Sequence, residues 1–208
     1  MLLIRHGQSE FNVVYSVTRQ DPGIRDPKLT AEARAQAREA AGALAAHGVA
    51  RLIASPYTRA LETAEIIAAM LDLPISVDPR VGERAAFTCD VGSPLPVLRQ
   101  RWPHLTLEHL DEVWWPDLEE SEGALDRRCE TFRCAMAEAV DWETTAVVTH
   151  WGFIRSLTGL TVQNCAVLRV DPRRRERAAV PLHPPSPSAP PLAPSRARGA
   201  AARRNRSG

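Results

Sequence analysis

The chain has 208 residues, of which 44% are hydrophobic and 25% charged, and its net charge is +1. That length suits one domain with an extension, and that apolar content supports a real core rather than a soluble polyelectrolyte. No apolar run is long enough to span a bilayer, and Arg5 and His6 interrupt the N-terminus too early for a secretory leader, so a cytoplasmic protein is expected.

The small net charge hides a split. Residues 171–208 hold nine arginines against Asp171 and Glu176, a balance of +7, which leaves −6 on residues 1–170. The same tail holds eight of the 17 prolines and few large apolar side chains. Such a segment cannot bury enough surface to offset its chain entropy, so 171–208 is read as a disordered basic tail and 1–170 as the folded domain. Its arginines leave weak phosphate or nucleic-acid binding open, but no aromatic side chain interleaves them as a single-strand binder requires. The four cysteines (Cys89, Cys129, Cys134 and Cys165) fit neither a zinc spacing nor a disulfide framework, so reduced thiols are expected.

In chain order, the apolar run Leu2-Leu3-Ile4 predicts a buried strand that ends at Arg5-His6-Gly7-Gln8. Thr30 is a good N-cap for a helix whose apolar face is Ala33, Ala37, Ala40, Ala41 and Leu44, with Gly48 as its stop. Arg51 to Ala54 is a second strand. Ser55-Pro56 predicts a cap and first helical position, followed by the buried face Ala60, Leu61, Ala64, Ile67, Ala68 and Leu71. Ile75 to Val77 is a short third strand. Residues 78–120 carry no clear period. A long helix comes next, from about Ser121 to Val140, then a strand at Thr145 to Thr149, a short helix at Gly152 to Gly159 and a last strand at Ala166 to Val170. This alternation predicts an α/β class protein, a three-layer α/β/α sandwich with a mainly parallel sheet.

Ligands of such sheets bind beyond the carboxyl ends of the strands. The residues standing there repeat one chemistry. The first strand offers Arg5 and His6, the second Ser55 and then Arg59, the third Glu83 and Arg84, and the fourth His150. Two histidines, the arginines Arg5 and Arg59 and a carboxylate at one sheet edge suit a tetrahedral oxyanion, because a guanidinium fork binds two oxygens at once. Taken singly, each has a blander reading: a turn-capping histidine, surface ion-pair arginines, or a turn-closing Asn12. Asp78 and Asp90 compete with Glu83 as the carboxylate. The strand-end positions favour the shared site.

Leu3-Ile4-Arg5-His6-Gly7-Gln8-Ser9-Glu10-Phe11-Asn12 resembles the signature of the histidine phosphatase superfamily, in its phosphoglycerate-mutase-like branch. Leu29-Thr30, Gln36-Ala37, Ser55-Pro56, Arg59-Ala60, Thr63-Ala64, Glu83-Arg84 and Thr149-His150 come in the family's order, so the resemblance covers roughly residues 1–170 and supports that fold. It implies that His6 is the nucleophile and forms a phosphohistidine. It implies that Arg5, Arg59 and His150 hold the phosphoryl oxygens, that Asn12 adds a hydrogen bond, and that Glu83 is the general acid and base. No metal or other cofactor is implied, because the arginines and imidazole supply the positive charge. A nucleophilic histidine must be neutral, so one ring nitrogen is expected to be pinned by a backbone carbonyl.

Three departures from the family pattern bear on specificity. Trp151 stands after His150 where a small residue is usual, and is taken as a substrate-binding residue that narrows the pocket. Arg84 to Asp90 lacks the aromatic and glycine-rich sequence with which the mutases grip a phosphoglycerate, and the interval from Glu83 to His150 is short. Both favour a phosphatase over a mutase. The segment 101–116 is expected to form a lid, with Trp102, Trp114 and Trp115 either touching substrate or packing the lid onto the core. Cys89, His104 and His109 match no common metal site. No cysteine has an arginine six positions on, which excludes a cysteine phosphatase. The reading is a metal-independent phosphomonoesterase for a small phosphorylated metabolite. A phosphoglycerate-mutase-type isomerase and a non-catalytic phospholigand-binding protein are the alternatives.

Overall fold

The computed structural model describes residues 1–174 and 179–183. The elements run β1 (Leu2–Arg5), α1 (Glu10–Thr18), α2 (Ala31–Ala45), β2 (Arg51–Ala54), α3 (Thr58–Leu71), β3 (Ile75–Val77), α4 (Leu95–Arg101), α5 (Glu122–Glu138), β4 (Thr145–Thr149), α6 (Trp151–Thr158), β5 (Val167–Val170) and β6 (Ala179–His183). They build one sheet in the order β3-β2-β4-β1-β5-β6. The first four strands in that order are parallel, β5 runs antiparallel to β1, and β6 runs antiparallel to β5.

Both faces of the sheet are covered, which explains why β1 reads as an unbroken apolar run rather than an alternation. Leu2 and Ile4 face a layer that includes Ala37, Ala41, Leu44, Leu61 and Ile67 of α2 and α3. Leu3 faces Leu125, Cys129, Phe132 and Met136 of α5 and Phe153 of α6. The result is the α/β/α sandwich read from the sequence. The predicted ends of α2, β2, β3, α5 and β4 agree with the observed ones to within about two residues, the usual scatter of element boundaries.

Two expectations are corrected. Helix α3 starts at Thr58, not at Pro56, with Tyr57 as its N-cap. Tyr57 gives no side-chain cap. The Asp26 carboxylate caps the helix instead, accepting the Thr58 N–H at 2.8 Å and its hydroxyl at 2.6 Å. That frees Ser55 for the site. The folded domain also does not stop at residue 170. β6 pairs along β5, Leu182 packs on one face of the sheet and Ala179 on the other. The arginines and prolines around this short stretch mask its apolar pattern, and Pro181 is tolerated because an edge strand has one unpaired side. Residues 175–178 and 184–208, where the rest of the expected basic tail falls, lie outside the described residues.

The 101–116 segment is less a cover than part of the core. Trp102 is 3% exposed and Trp114 packs against the same layer. The Trp114 indole N–H donates to the Ser93 carbonyl at 3.0 Å. Both indoles of Trp114 and Trp115 lie where a Cβ on Gly92 would be, so only glycine fits there. Among the described residues no helix is long and apolar enough to cross a membrane.

Candidate active site

The parallel register brings the strand ends to one edge. Arg5 is level with Thr149, and the ladder continues one step further through the His6 N–H to the Thr149 carbonyl at 2.9 Å. On the other side of β4, the Ser55 N–H donates to the Val148 carbonyl at 3.1 Å. His6, Ser55 and His150 therefore leave the sheet side by side.

His6 is 3% exposed. Its Nδ1 lies 2.7 Å from the Gly7 carbonyl oxygen, which can only accept, so Nδ1 carries the proton and Nε2 keeps its lone pair. This is the pinned, neutral imidazole expected from the sequence. Burial, and after it the nearby Arg59 and Arg5 charges, hold its pKa well below 6.5. Gly7 is held tightly too. Its N–H donates to Thr63 Oγ1 at 3.0 Å, and a Cβ there would come within 3.0 Å of the Ala33 Cβ on α2.

His150 is fully buried, with its ring centroid 5.0 Å from that of His6. Its Nε2 is 2.8 Å from Ser55 Oγ, while Nδ1 is buried without a partner. When Nε2 accepts the Ser55 hydroxyl proton, Nδ1 is a donor aimed at nothing in the protein. Its pKa also lies well below the ordinary value, through burial and then Arg59. Tyr57 backs the ring edge-on at 5.1 Å, and Trp114 backs Tyr57 at 4.7 Å.

Arg5 donates from Nη1 to the Val162 carbonyl at 2.7 Å, and its buried Nε has no partner. Burial lowers its pKa. Arg59 is 3% exposed and committed to protein: Nη1 to the Cys89 carbonyl at 2.7 Å and Nη2 to Asp90 Oδ1 at 3.0 Å. Burial opposes its charge, and Asp90 more than restores it, so its pKa is raised. Asp90, which by sequence competes with Glu83 as the site carboxylate, is instead the counter-ion of Arg59. Its other oxygen accepts the N–H groups of Ala86 and Phe87.

Glu83 reaches the same edge just past a 3-10 turn, Pro79–Val81, that follows β3. Its Oε1 accepts the Arg84 N–H at 2.9 Å and the Gly152 N–H at 2.8 Å. A carboxylate is thus seated on the first turn of α6, where the helix leaves N–H groups unpaired. Burial and then the Asp90 charge raise its pKa above 4.5. A Cβ on Gly152 would overlap Glu83 Oε1, so the seat requires glycine.

Asn12 serves two ends. Its Oδ1 accepts from Ser9 N at 3.0 Å in the capping box of α1 and from Asn164 Nδ2 at 3.3 Å, leaving its own Nδ2 as the donor it can offer. Asn164 also ties the His6 carbonyl at 3.0 Å. Trp151 does not join the buried set. It is 37% exposed on α6, with the Arg155 guanidinium 5.3 Å from its ring. Nor do Cys89, His104 and His109 gather. Cys89 leans on Asp90, His104 on Glu65 and His109 on the Val77 carbonyl. Among the described residues no cluster of three or more His, Cys, Asp or Glu side chains could hold a metal ion.

Ser55, Tyr57, Asp90, Gly152 and Asn164 complete the site; the sequence brings Ser55 to the strand ends and offers Asp90 as a rival carboxylate, but gives no sign of Tyr57, Gly152 or Asn164. Gly152 is visible as the second residue past a strand-end histidine, but its need for glycine depends on where Glu83 lands.

Comparison with known proteins agrees with this architecture. The model of the histidine phosphatase superfamily (branch 1) matches residues 1–177, and the chain belongs to that family. A glucosyl-3-phosphoglycerate phosphatase of Mycolicibacterium vanbaalenii is 28% identical over 185 residues, 81% of this chain and 78% of that one. A probable phosphoglycerate mutase GpmB of Proteus mirabilis is 36% identical over 112 residues, but the match spans 54% of this chain and about half of that relative, 46%. The alpha-ribazole phosphatase of Shigella flexneri shares the fold with a TM-score of 0.56 at 20% identity, over 88% of this chain and 94% of that one.

Proposed function

We propose that the protein is a phosphoric monoester hydrolase that works through a phosphohistidine on His6. The observation that carries the reading is the paired state of two buried rings. His6 has a free Nε2 lone pair because its Nδ1–H donates to the Gly7 carbonyl, and His150, its ring centroid 5.0 Å away, and Arg5 each hold an unmatched buried nitrogen. Buried polar atoms are normally paired, and two unpaired donors past the strand ends suit the binding of an anion.

In the first step His6 Nε2 attacks phosphorus. The bond from phosphorus to the leaving oxygen breaks, and that oxygen takes a proton from the Glu83 carboxyl, whose pKa burial raises. Arg5 Nε, His150 Nδ1 and Asn12 Nδ2 donate to the phosphoryl oxygens, and the charge of Arg59 stabilises them from behind Asp90. In the second step water attacks phosphorus and gives a proton to the Glu83 carboxylate. The P–N bond breaks, its electrons return to Nε2, and inorganic phosphate leaves. No step requires a metal.

A small phosphorylated metabolite is the proposed substrate class. Trp151, exposed next to His150, is the side chain proposed to touch its non-phosphate part. Release of phosphate is favoured over its return to the product because the alignment runs along most of the phosphatase relative and only part of the mutase-named one. The test is phosphate release from p-nitrophenyl phosphate with and without EDTA, beside a His6→Ala variant. EDTA-resistant release that vanishes in the variant supports the reading. Activity that EDTA abolishes, or that survives in His6→Ala, overturns it.

A further inference from the structure

The main chain that carries Glu83 is gripped by one side chain from the far layer. Arg128, on α5, donates from Nη1 to the carbonyls of Arg80 at 2.9 Å and Gly82 at 2.8 Å, and from Nη2 to the carbonyl of Glu83 itself at 3.1 Å. The same guanidinium pairs with Glu120, Nη2 to Oε2 at 2.8 Å and Nε to Oε1 at 3.3 Å. Glu120 in turn holds the residues just after the acid. Its N–H donates to the Ala85 carbonyl at 2.9 Å, and its own carbonyl accepts Arg84 Nε at 2.9 Å. The chain around Glu83 is therefore held before and at the acid by the Arg128 side chain and after it by Glu120, through its main chain and through its carboxylate, which accepts the Ala85 N–H at 3.4 Å while pairing with Arg128.

These bonds are not what fastens α5 to the sheet. Leu125, Cys129, Phe132 and Met136 do that by apolar packing. Nor is the pair an ordinary surface bridge, since its side chains are only 16% and 7% exposed. A guanidinium fork spread over three carbonyls of one turn fixes direction as well as distance, which a lysine could not do.

We infer that Arg128 and Glu120 are positioning residues for the acid–base step, holding the Glu83 backbone so that its carboxyl stays seated on Gly152 and within reach of the leaving oxygen. This rests on the role proposed above for Glu83. Proton transfer needs hydrogen-bond reach, and small displacements of a catalytic group are costly. The phosphoryl-binding groups lie on other elements, so loosening this clamp spares them.

The experiment compares kcat/KM on two substrates. p-Nitrophenyl phosphate has a leaving group that needs little protonation, and glycerol phosphate releases an alkoxide that does. Glu83→Gln, the reference, should lose about 100-fold on glycerol phosphate and only a few-fold on the aryl ester. Arg128→Gln and Glu120→Gln should show the same split at about tenfold, with inhibition by vanadate unchanged. Retained vanadate binding shows that each variant is folded with its phosphoryl site intact. If Arg128→Gln fails to fold, Glu120→Gln, which keeps a polar group in place, carries the comparison. Equal losses on both substrates in the clamp variants, beside a split in Glu83→Gln, overturn this inference alone. An even loss in Glu83→Gln overturns the acid–base role of Glu83 and this inference with it.

Discussion

The Glu83 carboxylate accepts the backbone N–H of Gly152 at 2.8 Å across 69 residues of sequence. This bond joins the loop after β3 to the helix after β4, and with them the acid to the second histidine. It leaves no room for a side chain at 152. Gly152→Ala should push the carboxylate out of its seat and lower kcat on glycerol phosphate by about 100-fold, while vanadate inhibition stays near the wild-type value. Wild-type turnover by this variant would show that the seat does not matter.

Arg59 and Asp90 form an ion pair whose side chains are 3% and 2% exposed. Removing one partner of such a pair strands a buried charge. Asp90→Asn should cost about 3 kcal/mol in urea unfolding, since the amide can keep some N–H contacts but not the counter-charge. A loss below about 1 kcal/mol, the range of exposed pairs, would contradict the pairing.

His6 and His150 make folding pH-dependent. Burial holds both pKa values well below 6.5 in the folded protein. Below that pH the unfolded chain takes up protons that the folded one refuses, so their contribution is full above 6.5 and is lost as pH falls, by about 1.4 kcal/mol per pH unit for each. Glu83 acts in the opposite sense. Its folded pKa lies above 4.5, so its contribution is full below that value and is lost as pH rises through the folded pKa. Two histidines outweigh one carboxyl, and stability should rise between about pH 5 and 6.5. Urea midpoints measured across that range check this, and His150→Gln should flatten the slope. A flat wild-type profile would contradict it.

β6 covers the open side of β5, and Leu182 joins the core there. Truncation after Arg174 should therefore cost roughly 2 kcal/mol and lower Tm by about 4–8 °C. Truncation after His183 should leave Tm and kcat near the full-length values, as expected if the basic tail beyond it is an appendage. Equal Tm values for the two truncations would show that β6 adds nothing.

Much of the fold and the site is legible in the sequence because parallel strands announce themselves. Leu2-Leu3-Ile4 and Ala146-Val147-Val148 are apolar throughout, and the residues just past each must stand at one edge. That logic places Arg5, His6, Ser55, Glu83 and His150 together without coordinates. It fails where a residue's partner is distant and non-periodic. Nothing near Thr58 reveals that Asp26 caps its helix, and nothing near Arg59 reveals that Asp90 will claim it. Helix α1 is short and has only Phe11 buried, so it has no apolar stripe to read. Gly7 and Gly152 are both unremarkable as letters; α2 crowds the first and the Glu83 carboxylate leaves no room for a side chain at the second.

The most direct measurement is rapid acid- and base-quench of the wild-type protein during turnover of p-nitrophenyl phosphate, with the phosphorylated peptide mapped. A phosphohistidine mechanism predicts a phosphoryl group on the peptide that carries His6, lost in acid, stable in base and absent from His6→Ala. Nitrophenol release with no phosphoprotein, or with the phosphoryl group on another residue, would contradict it.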